Sequence, residues 1–144
     1  MENANLGLLQ LFYAGVLVEA ANNYEQLGVT EQITEKKRRE QAIAAPVQLT
    51  RLGAQNPAEL FTKMKEVFGC VNWQIEERGN ITRATGSNCL MCAIAKKTGS
   101  AKPCNLYCIN PMKAFGEAMR PAKRLNVEKT LWESDECVFI YEEF

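Results

Sequence analysis

VNWQIEERGNITRAT, residues 71–85, is where the spacing of apolar residues changes from helical to alternating. Val71, Trp73 and Ile75 alternate with Asn72, Gln74 and Glu76, the pattern of a strand with one buried face. Arg78-Gly79-Asn80 supplies a turn, and Ile81 to Thr85 returns as a second strand, which predicts a β-hairpin. The C-terminal stretch repeats the arrangement, with Leu125 to Trp132, a turn at Ser134-Asp135, and Cys137 to Tyr141.

Outward from the first hairpin the period is helical. A first helix is expected over Leu6–Leu27, stopped by Gly28, and a second, more polar one from Thr30, which Pro46 ends or kinks. Asn56-Pro57-Ala58-Glu59 is a helix start: Asn caps, Pro takes the first helical position, and Glu lies near the positive end of the dipole. Leu60, Phe61, Met64, Val67 and Phe68 then mark one apolar face, closed by Gly69. After the hairpin, Asn88 is placed to cap a short helix over residues 89–97, ending at Gly99. A further helix ends near Arg120-Pro121, and Cys108, Met112, Phe115 and Met119 share one face if it passes unbroken through Asn110-Pro111. The sum predicts an α+β protein: an antiparallel sheet of about four strands in two hairpins, packed against about five helices. Residues 1–144 are read as one domain, with a helical N-terminal segment over 1–55 and an α+β core over 56–144.

The 144 residues are 47% hydrophobic and 24% charged, the balance of a soluble globular protein. A chain of this length buries about two thirds of the surface its unfolded form exposes, so neither metal nor disulfides are needed for a core. The 17 basic and 17 acidic residues cancel, which argues against nucleic acid as a partner. The basic run Lys36-Lys37-Arg38-Arg39 is flanked by Glu35 and Glu40 and reads as a solvated helix face. The apolar stretch at residues 6–20 is interrupted by Gln10 and Glu19, and Glu2 and Asn3 stand where a signal sequence carries basic residues. It reads as a largely buried helix, too short for a membrane span, that covers the core or pairs with a second copy in a homodimer. The chain is therefore expected to be cytoplasmic, with its six cysteines mostly reduced.

Four of those cysteines fall within CLMCAIAKKTGSAKPCNLYC, residues 89–108, in a chain without histidine. Three readings stand side by side. Cys89 and Cys92 at a helix N-terminus make a reactive or redox pair, since free N–H groups stabilise a thiolate there. Cys92, Cys104, Cys108 and Cys137, or Cys89 in place of one of them, make a thiolate cage for zinc or an iron–sulfur cluster. Or several of them are small apolar side chains in the core.

The C-terminal third resembles a known family. Cys92-Ala-Ile-Ala-Lys96, Cys104-Asn-Leu-Tyr-Cys108, the following helix with Gly116, Leu125–Leu131, and Ser134-Asp135-Glu136-Cys137-Val138-Phe139 are similar to the L-2-amino-thiazoline-4-carboxylic acid hydrolase-like proteins. Their broader relatives are 4-vinyl reductase-type small-molecule-binding domains. The resemblance covers roughly residues 85–144, and Asn110-Pro111 and Ser134 depart from the family pattern. It implies water addition to the amidine-like ring carbon of a thiazoline carboxylate, opening the ring to a carbamoyl-cysteine. Without histidine, a thiolate, a carboxylate or a metal-bound hydroxide must act. On this reading Cys92, Cys108 and Cys137 are the nucleophile or metal-ligand candidates, with Cys92 and Cys108 taken as catalytic. Glu117 and Asp135 are the acid/base candidates, and Lys96, Arg120 and Lys129 those for the substrate carboxylate. The alternative is a non-catalytic small-ligand-binding domain with a structural cysteine-ligated metal. A cavity lined by Phe, Met and Trp favours that alternative, and a basic pocket with convergent thiolates favours the enzyme.

Overall fold

Both alternating stretches form hairpins, and the hairpins join edge to edge in one antiparallel sheet of order β1-β2-β4-β3. The computed structural model describes residues 3–144. In chain order the elements are α1 (Asn3–Gln26), α2 (Thr30–Leu52), α3 (Pro57–Phe68), β1 (Val71–Arg78), β2 (Ile81–Cys89), α4 (Leu90–Thr98), α5 (Asn110–Ala118), β3 (Lys123–Lys129) and β4 (Cys137–Glu143). A π-helical turn, Asn105–Ile109, leads directly into α5. The fold is α+β, as the periodicity predicts.

One face of the sheet carries the core. Val71 and Trp73 of β1, Ala84 of β2 and Cys137, Phe139 and Tyr141 of β4 are buried against helices. Neighbours of opposite parity, such as Asn72, Gln74 and Glu76, face outward, as expected for an antiparallel sheet covered on one side. The ring of Phe61, on α3, lies 4.9 Å from Trp73 and 5.6 Å from Tyr141, and Trp73 lies 5.0 Å from Phe139. This aromatic cluster pins α3 to the sheet centre. Asn56 caps α3 by accepting from the Glu59 N–H at 2.9 Å, with Pro57 in the first turn, as the sequence signature requires. From α2, Ala45 and Leu49 enter the same core.

Four expectations change. Pro46 does not end α2, which runs on to Leu52 and stops at Gly53 in the left-handed conformation. A proline inside a helix removes one N–H donor without forbidding the next turn when the rest of the helix is anchored. Asn88 does not cap α4. It adopts φ +58° at the end of β2, and the cap is Cys89, whose sulfur accepts from the Cys92 N–H at 3.4 Å. Third, α1 is not largely buried. Ala14, Val18 and Ala21 are buried, but Leu8, Leu9, Phe12 and Val16 face solvent, with Phe12 65% exposed. Fourth, at 24 residues α1 is not too short. It is long and apolar enough to cross a membrane by length and composition, with mean hydropathy 1.4 over its best window.

Candidate functional site

A cleft of about 660 Å³ opens between the N-terminal helices and the sheet. Its apolar wall is built by Met64, Phe68, Trp73, Met91, Met112 and Phe115, drawn from α3, β1, α4 and α5. Tyr13 of α1 stacks on Phe68 with ring centres 5.7 Å apart, which closes one end. From α2 come Lys37, Glu40, Gln41 and Arg51. Glu40 pairs with Lys36 at 3.5 Å, whereas Lys37 and Arg51 have no carboxylate partner among the described residues. The Lys37 ammonium instead lies 5.6 Å from the centre of the Tyr107 ring. The size and composition are those of a small-ligand pocket: mostly apolar, with a few polar groups that orient a ligand.

One polar group in the cleft is unsatisfied. Gln41 donates from Nε2 to the Leu106 carbonyl at 3.3 Å, but its buried Oε1 has no partner. The Leu106 bond has a local cause. In the π-helical turn the Asn110 N–H reaches back five residues to the Asn105 carbonyl. The same register assigns Leu106 to the nitrogen of Pro111, which carries no hydrogen. Gln41 supplies the missing donor, and its own oxygen is left buried beside the cleft without a partner.

Below the cleft lies a small cavity of about 10 Å³, water-sized at most, walled by Cys89, Cys92, Cys104, Cys108 and Cys137. Residues 48 positions apart in sequence therefore do converge, because β4 inserts beside β2 and carries Cys137 alongside Gly86. All six cysteines are free. The Cys92 and Cys104 sulfurs are 3.7 Å apart, and those of Cys70 and Cys89 are 3.6 Å apart. A hydrogen bond from the Cys70 thiol, joined by the first N–H groups of α4, holds the Cys89 thiol far below its ordinary range. Its partner Cys70 is pushed up by that same contact and then by burial. The Cys92 thiol donates to Cys104, which raises Cys92 and lowers Cys104. Burial raises Cys108 well above the usual thiol range and Cys137 to about 11, although the Leu131 N–H donates to the Cys137 sulfur at 3.1 Å.

Zinc can be tested against this geometry. Thiolates bound at about 2.3 Å around a tetrahedral ion lie about 3.8 Å apart. Cys92 and Cys104 meet that spacing as a pair, but no three His, Cys, Asp or Glu side chains among the described residues are placed to hold one ion. The expected four-thiolate cage of Cys92, Cys104, Cys108 and Cys137 is not formed in this arrangement.

The charged candidates lie elsewhere. Glu117 and Asp135 are exposed, the latter accepting from Ser134 at the β3–β4 turn. Lys96 donates to the Leu131 carbonyl at 2.7 Å, Arg120 to the Met119 carbonyl at 3.1 Å, and Lys129 pairs with Glu136 at 3.1 Å. None of these five lines the cleft or the sulfur cavity. Sequence reading missed Cys70, Gln41, Lys37 and Arg51, and it paired Cys89 with Cys92, whereas the sulfur closest to Cys89 is that of Cys70. The two-residue turn at Gly79-Asn80 sets a register that runs back to Asn72 opposite Ser87, and a bulge then brings Val71 opposite Cys89, so the turn places Cys70 near Cys89 only to within one residue. No family model matches the chain, and no curated protein matches it.

Proposed function

We propose that this protein is a small-molecule-binding domain whose cleft takes an amphipathic organic acid. The observation that carries the reading is the cleft itself, with Phe, Met and Trp walls, two cations without carboxylate partners, and one buried acceptor left open. The apolar body of such a ligand lies against Trp73 and Phe115, its acid group reaches Lys37 or Arg51, and a hydroxyl or N–H donates to Gln41 Oε1. The six free cysteines support a reducing, cytoplasmic setting. The exposed apolar face of α1 supports pairing with a second copy of the chain.

The test is a fluorescence titration of Trp73 with saturated and aryl carboxylic acids of increasing length. Saturable quenching is expected, and Ala44→Trp, which fills the cleft from α2, lowers affinity at least about tenfold, or 1.4 kcal/mol. Absence of saturable binding across the series refutes the reading.

Ring-opening hydrolysis is the second reading. One observation favours it: Cys108 lines both the cleft and the sulfur cavity, so a bound acid would meet a cysteine cluster. The Cys108 thiol is held protonated by burial, so on this route it serves as a proton donor before it serves as a nucleophile. Conversion of 2-amino-thiazoline-4-carboxylate to a carbamoyl product by the wild-type chain, lost in Cys108→Ala, is the expected result for this route. No turnover leaves the binding domain alone.

A further inference from the structure

The cysteines are not spread evenly. They form two close pairs on opposite sides of Cys89-x-x-Cys92, one at the cleft and one enclosed. Cys92 and Cys104 are both buried, and neither lines the cleft. Cys70 is half-buried, lines the cleft, and stands 3.6 Å from the sulfur of half-buried Cys89. The backbone fixes that pair firmly. Cys70 precedes β1, Cys89 ends β2, Val71 is paired with Cys89, and the Leu90 N–H donates to the Cys70 carbonyl at 2.9 Å. Two thiols in van der Waals contact on an anchored backbone, one of them facing a ligand-sized opening, are arranged for exchange with a disulfide that enters from that side.

We propose that Cys70 and Cys89 form a redox-active dithiol that exchanges with small-molecule disulfides through the cleft. Cys70 Sγ attacks one sulfur of the incoming disulfide as its proton passes to the adjacent Cys89 sulfur, 3.6 Å away, and the first leaving thiolate takes a proton from solvent. A mixed disulfide on Cys70 results. Cys89 Sγ then attacks Cys70 Sγ, breaks the mixed bond and gives its proton to the second leaving thiolate. The products are one Cys70–Cys89 disulfide and two small thiols. The two cysteines lose two electrons and the incoming disulfide gains them, so no further oxidant is required. Cys92 and Cys104 lie behind this pair, away from the cleft. The proposal goes beyond acid binding, and it uses the cleft only as a route of access.

The experiment starts from the full wild-type chain, reduced and freed of reductant, with zinc and iron measured on the same sample. It is then incubated with glutathione disulfide. Thiol titration in denaturant is expected to fall from six by two, and peptide mapping to find one bond between Cys70 and Cys89. Trypsin separates the two at Arg78 and Arg83, and fragmentation within residues 84–96 distinguishes Cys89 from Cys92. Cys89→Ser is expected to stop at a glutathione adduct on Cys70, whereas Cys104→Ser leaves the bond unchanged. If the Cys89 variant does not fold, the wild-type map still decides. A bond mapped to Cys92–Cys104, adducts that never resolve, no loss of thiols, or stoichiometric metal masking Cys70 and Cys89 each overturns the proposal. Acid binding that fails while this bond forms overturns only the cleft's ligand assignment, and the reverse result overturns only the dithiol.

Discussion

Cys137 and Cys108 are thiols whose protonated forms the native state favours, because burial raises Cys137 to about 11 and Cys108 well above the usual thiol range. An unfolded thiol titrates near 8.5. Above that value the unfolded chain has released protons that the native state still holds, so stability falls as pH rises through the native values. Cys89 and Cys104 are shifted the other way, and their contribution is full above about pH 8.5 and declines as pH falls. The urea midpoint should therefore drop between about pH 8 and about pH 10, and Cys137→Ser should flatten part of that drop. A midpoint that holds steady over the range would show that these thiols ionise without cost. Gly116 makes a second test at single-residue resolution. A methyl group there would meet Tyr141 Cε1 at 2.5 Å and the Lys123 carbonyl at 2.9 Å, and neither the buried ring nor the backbone can yield freely. Gly116→Ala should cost about 1–3 kcal/mol in urea unfolding, as overpacking does.

Between α2 and the π-helical turn the coupling runs through one side chain. Pro111 removes the donor that Leu106 would use, and Gln41 replaces it from another helix. Gln41→Leu should destabilise the protein by about 1–2 kcal/mol, the cost of leaving a buried carbonyl unpaired. Pro111→Ala restores a local donor, so in that background the Gln41→Leu cost should shrink measurably. Equal costs in both backgrounds would show the two residues to be independent. This link also marks the limit of what the sequence could reveal. The hairpins were legible because a period of two and a Gly-Asn turn are local signals, and α3 because its Asn-Pro cap and Gly69 stop are local as well. The cleft was not, because Gln41 and Leu106 are 65 positions apart and nothing in either neighbourhood records the other. The same holds for Gln10, which interrupts the apolar run of α1 because its amide donates to the Glu66 and Val67 carbonyls at the end of α3. The convergence of Cys92, Cys108 and Cys137 was an expectation of the thiolate-cage reading, since cysteines are few enough to be grouped by type, while the charged candidates taken from the family resemblance lie outside the cavity.

For the whole molecule, the unresolved balance is on α1. Its two faces differ sharply: Ala14, Val18 and Ala21 pack inward, toward α4, while Leu8, Phe12 and Val16, four residues apart, form a continuous apolar stripe outward. With Phe12 65% and Val16 61% exposed, such a stripe is larger than scattered surface residues produce. A twofold pairing through α1 would bury it isologously, each stripe against its own copy. Sedimentation equilibrium of the wild-type chain should then show a concentration-dependent dimer, and Phe12→Glu with Val16→Glu should give a monomer. Because both side chains point away from the core, the double variant should keep the wild-type urea midpoint at low concentration, where the dimer no longer contributes. It should also keep its affinity for acids, since neither residue lines the cleft. A wild-type chain that stays monomeric at all concentrations would remove the dimer from this reading, and a variant that loses acid binding would show that α1 shapes the cleft as well as covering it.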